Sequence, residues 1–140
     1  MNSVDVWKII QDLKLIPAIT SIVWTNIFFW EPRKDLDIST NSYIVINIIS
    51  QIPSFAQRQA RLEFRLLWKI DTVKKQSLIN LCWIVTSSLC FTSCNWVKSY
   101  NWFKVSSIIE WNDFKLFIWD WNRNILIKDY IVTFFKDEYQ

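Results

Sequence analysis

The sequence predicts an α+β domain in which an N-terminal helix and a central helix pack on an antiparallel sheet that ends in a C-terminal three-stranded meander. Three observations predict this class. Apolar residues recur at helical spacing near the N-terminus, a central segment is rich in good helix formers, and the last third holds three β-branched and aromatic runs separated by Asn and Asp. Residues 1–140 are predicted to form a single domain, because no linker, repeat or low-complexity tract interrupts them.

The first half of the chain predicts one helix followed by two strands. Residues Ser3–Leu13 form the predicted helix, because apolar side chains recur at helical spacing and Asp5 lies in the first turn, where a carboxylate is stabilised. Pro17 prevents this helix from continuing. Residues 19–30 and 43–49 are rich in β-branched and aromatic side chains, which predicts two strands, and the charged segment between them predicts a loop.

Residues 54–71 fit both a helix and a strand. In a strand, the apolar residues Leu62, Phe64 and Leu66 alternate with charged ones, whereas in a helix the same leucines lie opposite a row of basic residues. We predict the helix, because the segment is rich in Ala, Gln, Arg, Leu and Glu, which are good helix formers. If the segment is instead a strand, the predicted fold becomes a mostly β barrel or sandwich.

Residues 78–91 form an apolar run whose periodicity does not separate a buried strand from a buried helix. Its Val, Ile, Thr and Cys content favours a strand. The wider stretch 76–97 carries no charge and is long enough for one membrane span, which needs about 20 mainly apolar residues. Its several Asn, Ser and Thr side chains favour burial in the protein core, so a single-span membrane subunit is kept only as an alternative.

The C-terminal third predicts the meander. Residues 103–111, 114–121 and 125–135 are runs of Ile, Val, Phe, Trp and Tyr. Asn112 and Asp113 separate the first two runs, and a second Asn-rich segment separates the last two. Because the chain contains no glycine, Asn and Asp are its best turn formers. The three runs are therefore predicted to be antiparallel strands.

Glycine and histidine are both absent from the sequence. Without glycine the chain cannot form a Gly-rich phosphate cradle or a dinucleotide-binding fingerprint. Without histidine it has no Ser–His or Cys–His nucleophile and no His-containing metal site, and its three cysteines are one too few for a zinc site of thiolates alone. No spacing singles out a pair of carboxylates for acid–base chemistry. We therefore expect no enzyme activity, no cofactor and no metal.

The cysteines bear on the compartment. Cys82, Cys90 and Cys94 lie in one apolar stretch and are odd in number, which indicates buried free thiols in an intracellular, reducing compartment. The sequence also holds ten tryptophans but few residues with GC-rich codons. That combination is expected of an AT-rich genome in which TGA encodes tryptophan, as in many mitochondria. A mitochondrial or other organellar location is therefore one expectation.

Two sets of aromatic side chains form predicted contact surfaces. In residues 96–104 aromatic and basic residues alternate, and in an extended strand they project from one side, where they could stack on bases, on sugars or on a protein partner. This set comprises Trp96, Lys98, Tyr100, Trp102 and Lys104. The second set is Trp119 and Trp121, which share one side of the predicted meander. The competing interpretation is that both sets pack into the core.

A third set is a basic stripe on the predicted central helix. Arg58, Arg61, Arg65 and Lys69 have helical spacing, which places them on one face of that helix. Such a face could contact phosphates or an acidic partner, although most such faces are only solvated. The net charge of +3, from 16 basic and 13 acidic residues, is lower than expected of a dedicated nucleic-acid binder.

These observations predict a non-catalytic structural or adaptor subunit of a larger assembly, which binds a protein partner through Trp-rich apolar surface. Aromatic residues make up 17% of the chain, and ten tryptophans are many for the core of one domain of this size. One alternative is a single-stranded RNA-binding module that uses the aromatic and basic sets. The other is the single-span membrane subunit.

Overall fold

A computed structural model of the chain confirms the α+β class. It describes residues 3–37, 41–52, 58–68, 75–92, 98–100, 103–119 and 123–136. These ranges contain three helices and seven strands: α1 (Ser3–Leu13), α2 (Pro17–Val23), β1 (Ile27–Phe29), β2 (Tyr43–Ile52), β3 (Arg58–Leu67), α3 (Lys75–Leu89), β4 (Phe91–Thr92), β5 (Lys98–Tyr100), β6 (Phe103–Trp119) and β7 (Arg123–Lys136). The predictions of a helix at α1 and of a strand within β2 are confirmed.

The seven strands form one sheet, in the order β1-β2-β3-β7-β6-β4, and β5 also pairs with β6. β1 and β2 are parallel, and the other described pairs are antiparallel. All three helices pack on one face of the sheet, because their apolar side chains share a single core with alternate residues of the central strands. No described helix covers the opposite face, which we call the outer face.

The central helix predicted over residues 54–71 is wrong, since residues 58–67 form β3. Its burial alternates as a half-buried strand requires: Ala60, Leu62, Phe64 and Leu66 are at most 1% exposed and face the helices. β3 pairs with β2 on one side and β7 on the other, and this pairing outweighs the helix propensity of its residues. The barrel or sandwich that such a strand had implied does not follow, because the described strands form one sheet with helices on one face.

Residues 19–30 were predicted to be a strand, but most of them belong to α2 and to the turn after it. Pro17 occupies the first turn of α2, where its missing N–H and fixed φ are tolerated. Ile19 and Val23, four residues apart, are the buried side chains of this helix. Trp24 then takes a positive φ of 54°, which ends the helix, and only residues 27–29 extend as β1.

The strand favoured for residues 78–91 is also wrong, because a helix, α3, reaches Leu89 and only β4 is extended. The buried residues recur at intervals of three and four, the period of a helix with one apolar face. They are Leu78, Leu81, Cys82, Val85 and Leu89. Among the helices that the structure describes, none has both the length and the apolar character that crossing a membrane requires.

The predicted C-terminal meander is a hairpin of two long strands, β6 and β7. The first predicted turn, at Asn112 and Asp113, is instead a bulge inside β6. Trp111 lies opposite Asp129 and Lys115 lies opposite Ile127, so residues 112–114 stand against a single residue of β7. Asn112 takes a φ of 64°, a conformation that Asn tolerates better than most residues. The second predicted turn includes residue 122, which lies outside the described residues.

Candidate contact surface

The outer face of the sheet exposes apolar side chains that a covered face would bury. Ile109, Trp111 and Phe117 alternate along β6 on this face and remain 42%, 46% and 46% exposed. Ile131 of β7 lies directly opposite Ile109. A cavity of about 270 Å³ opens among these residues, and its lining includes Arg61, Ile109, Trp111 and Ile131. The described part of this face therefore presents a shallow apolar groove.

Two ion pairs of described residues lie on the outer face. Arg61 of β3 lies opposite Ile131, next to Asp129 on β7, and its Nε donates a hydrogen bond to Asp129 Oδ2 at 2.8 Å. Arg65 pairs with Glu63 of its own strand. Arg61 lines both the apolar groove and a second cavity of about 200 Å³ that extends towards Phe117. The outer face thus combines apolar rings with two arginines that are paired with carboxylates, and Lys115 of β6 lines the second cavity beside them. Apolar and aromatic side chains together with arginine are common at protein–protein contact surfaces.

A third cavity lies on the helix side of the sheet, between α3 and the bulge of β6. Its volume is about 280 Å³. Its lining comprises Cys82, Trp83, Thr86, Glu110, Asp113, Phe114 and Lys128. We call it the bulge cavity. Helical spacing brings its α3 residues onto one side, and the bulge contributes Asp113 and Phe114. Asp113 also borders the second cavity on the outer face.

A buried lysine supports the bulge. The Lys128 side chain is only 6% exposed, and its Nζ donates a hydrogen bond to the carbonyl oxygen of Asn112. The same ammonium lies 3.3 Å from a carboxylate oxygen of Glu110. These two contacts compensate the buried charge and satisfy a carbonyl inside the bulge, where the regular pairing of β6 with β7 is interrupted.

Polar groups beside the bulge cavity are held in their neutral forms. Burial raises the pKa of the Cys82 thiol, and burial together with the Glu110 carboxylate raises the pKa of Cys90 to about 11. Burial also raises the pKa of Tyr130, whose hydroxyl shares a hydrogen bond of 2.7 Å with Thr86 Oγ1. A thiol with a raised pKa is a poor nucleophile near neutral pH. Among the described residues, no cluster of three acidic or thiol side chains is arranged to hold a metal ion.

The aromatic set of residues 96–104 does not lie along one strand. β5 and β6 are antiparallel, with Lys104 of β6 opposite Ser99 of β5, so the chain reverses direction between them. Lys98 and Tyr100 belong to β5, whereas Trp96 and Trp102 lie outside the described residues. The prediction that these five residues share one extended strand is therefore wrong. Their role in partner binding stays a prediction.

The second aromatic set is described only in part. Trp119 is the last residue of β6 and pairs with Arg123 of β7, and Trp121 lies outside the described residues. Their role in partner binding stays a prediction. The structure shows other tryptophans at the surface. Trp7, Trp24, Trp30 and Trp83 are each more than half exposed.

The four residues of the predicted basic stripe do not lie on one face, because residues 58–67 form a strand and not a helix. In β3, Arg61 and Arg65 are an even number of residues apart and share the outer face, whereas Arg58 belongs to the opposite alternation. Lys69 lies outside the described residues. Both arginines of the outer face are paired with carboxylates, which lowers the positive potential that a phosphate would meet.

The sequence prediction missed Ile109 and Trp111 as outer-face residues and Trp83 and Phe114 as cavity walls. The alternation of apolar residues along β6 was visible in the sequence, but it does not tell which face the helices cover. The grouping of Trp83 with Phe114 depends on α3 being a helix and on the bulge.

Comparisons with known proteins find a likeness of fold to solved structures. No protein-family model and no curated protein matches the sequence. Among solved structures, the fold is similar to that of a chain described as "Virion of native gene transfer agent (GTA) particle". The TM-score is 0.64, the sequence identity is 10%, and the alignment covers 89% of each chain. The likeness is one of fold, extending over nearly the whole of both chains.

Proposed function

We propose that this protein is a non-catalytic structural subunit of a multi-protein assembly and that its outer face contacts a neighbouring protein. The observation that carries the proposal is the apolar groove of Ile109, Trp111 and Ile131, beside the exposed ring of Phe117. Contiguous apolar surface of this kind is typical of interaction sites. The similarity in fold to a chain of a virion particle supports membership of an assembly.

The tryptophan in the groove is the expected centre of the contact. Trp, Tyr and Arg are enriched among the residues that contribute most of the binding energy at protein interfaces. Trp111 and Arg61 line the same cavity. The Arg61–Asp129 pair at the centre of the face keeps its charges balanced, so a neighbour need not supply a counter-charge there. Apolar contact around a paired charge fits a protein neighbour better than a nucleic acid.

The RNA-binding alternative receives less support. Arg61 and Arg65, the two basic residues of the stripe on the outer face, are paired with Asp129 and Glu63. A phosphate would have to compete with these carboxylates. If the alternative is nevertheless correct, oligonucleotide affinity should fall steeply with rising salt, because phosphate contacts release counterions.

The absence of catalysis and the reducing compartment are parts of the same proposal. The sequence has no histidine, and burial raises the pKa of the Cys82 and Cys90 thiols, which leaves no ready nucleophile among them. Both thiols are free, as expected in a reducing compartment. Mass spectrometry of the native protein, alkylated before any reduction, tests this. Finding Cys82 or Cys90 in a disulfide would contradict the proposed compartment.

The assembly proposal is tested by isolating the tagged full chain from its source cells under gentle conditions and weighing the complex by native mass spectrometry. We expect a particle of fixed composition, far heavier than the 17.0 kDa chain. Trp111→Ser should reduce its yield by about tenfold or more, since a central tryptophan commonly contributes 2 kcal/mol or more to binding.

The matched control is Trp7→Ser, which removes a tryptophan of similar exposure from α1. It should leave the yield of the complex unchanged. Recovery of the wild-type chain as a free monomer would refute the assembly proposal. If both variants reduced the yield of the complex equally, the proposal that the outer face is the contact surface would be refuted.

A further inference from the structure

Three groups around the bulge cavity have no stacking, cation–π or ion-pair partner among the described residues. The Trp83 ring on α3 is 69% exposed, and the Phe114 ring on β6 is also exposed. Neither ring stacks on a described aromatic ring or beneath a described cation. Asp113, at the tip of the bulge, forms no ion pair within the described part of the chain. Two open rings and one free carboxylate thus line the same cavity.

The charges of this cavity leave one negative charge uncompensated. Lys128 and Glu110 neutralise each other at 3.3 Å. Cys82 contributes no charge near neutral pH, because burial raises the pKa of its thiol. Asp113 remains. It also borders the second outer-face cavity with Lys115, but the two form no ion pair in the described part of the chain. A ligand that matches the bulge cavity therefore carries a positive charge. The buried ammonium of Lys128 is already engaged by Glu110 and by the carbonyl of Asn112, and so it does not offer an anion site.

We propose that the bulge cavity receives an arginine side chain from a neighbouring subunit, an inference that rests on the proposed function. A guanidinium group is planar, stacks on aromatic faces and donates paired hydrogen bonds to a carboxylate. Trp83 and Phe114 supply the faces, and Asp113 supplies the carboxylate. An ammonium group is more strongly hydrated and has no planar face, so lysine fits the same walls less well.

The test uses the full-length, isotope-labelled chain and N-acetyl-arginine-N-methylamide, a capped arginine without backbone charges. The NMR signal of the Trp83 indole N–H is assigned with Trp83→Phe and followed while the probe is added up to about 100 mM, a range chosen for weak single-side-chain binding. We expect a saturable shift of the Trp83 signal and none at the indole of Trp7. The capped citrulline analogue, of similar shape but uncharged, should bind at least about fivefold more weakly.

Two variants of equal charge change locate the site. Asp113→Asn should weaken binding of the capped arginine by about fivefold or more, whereas Glu31→Gln, which changes an exposed carboxylate elsewhere, should leave the affinity unchanged. The proposal is overturned if the Trp83 signal does not move, if citrulline or capped lysine binds as tightly as arginine, or if Asp113→Asn binds like the wild type. Those outcomes would leave the assembly proposal standing, because its test depends on Trp111.

Discussion

Replacing Thr86 by valine gives the sharpest test of how α3 is fixed to the sheet. The change removes the hydroxyl that shares a 2.7 Å hydrogen bond with Tyr130 and keeps the branched shape of the side chain. Tyr130 is fully buried, and its ring meets the Phe64 ring edge-on with centroids 5.0 Å apart, so its hydroxyl cannot turn to solvent. The Cys82 thiol, which also interacts with the Tyr130 hydroxyl, is only a weak hydrogen-bond partner. A buried hydroxyl that loses its good partner costs about 1–3 kcal/mol. We expect the free energy of unfolding to fall by that amount.

The complementary change, Tyr130→Phe, removes the other partner. The Thr86 hydroxyl is only partly buried and lies on a helix, where a threonine can bond the carbonyl four residues earlier. We therefore expect a smaller cost of about 0.5–1.5 kcal/mol for this variant. The double variant should cost about 1 kcal/mol less than the sum of the two, because the partners form one interaction.

Urea unfolding, followed by tryptophan fluorescence and extrapolated to water, measures all three variants. Ser87→Ala serves as a control, since its hydroxyl bonds only its own helix at an exposed position, and it should change stability by less than about 0.5 kcal/mol. If Thr86→Val is as stable as the wild type, or if the two single costs add to within about 0.3 kcal/mol, the hydrogen bond does not fix α3 to β7.

Two further predictions concern pH and the core. Burial raises the pKa of Cys82, Cys90 and Tyr130, so the native state keeps protons that the unfolded state releases. The contribution of these three groups to stability should therefore be constant up to about pH 9, the ordinary thiol value, and fall as the pH rises further. A urea midpoint that is the same at about pH 11 as at pH 8 would contradict this. Phe64→Ala should cost about 3–5 kcal/mol in urea unfolding, because it leaves a cavity between β3 and the helices. Phe117→Ala, on the exposed outer face, should cost less than about 1 kcal/mol, and equal costs would mean that the buried face is misassigned.

The parts of the fold that the sequence predicted correctly are those in which local pattern and tertiary environment agree. α1 has helical spacing and a favourable first turn, and it packs one apolar face on the core. β2 is a β-branched run that pairs on both sides. In β3 helix propensity and hydrophobic periodicity disagree. Its residues are good helix formers, but its apolar residues recur at every second position, as in a strand. The segment forms a strand because β2 and β7 pair with it on both sides.

The errors in the helices and in the hairpin have a different origin. α2 and α3 contain many β-branched residues, which favour strands weakly, and their burial against the sheet outweighs that preference. Asn112 and Asp113 have the composition of a turn, but Lys128 binds the Asn112 carbonyl and lets the strand continue past them. That contact joins residues sixteen positions apart and cannot be inferred from local composition. The bulge cavity was unpredictable for the same reason.

The bulge has a consequence for how this chain meets other copies of itself. Residues 109–119 of β6 have no strand partner on the side away from β7 within the described chain. Long, apolar edges of this kind recruit further strands and lead to fibrous aggregation. Here the three residues at 112–114 break the edge into two short pieces, 109–111 and 115–119. The bulge that Lys128 stabilises therefore disfavours aggregation through strand pairing at this edge.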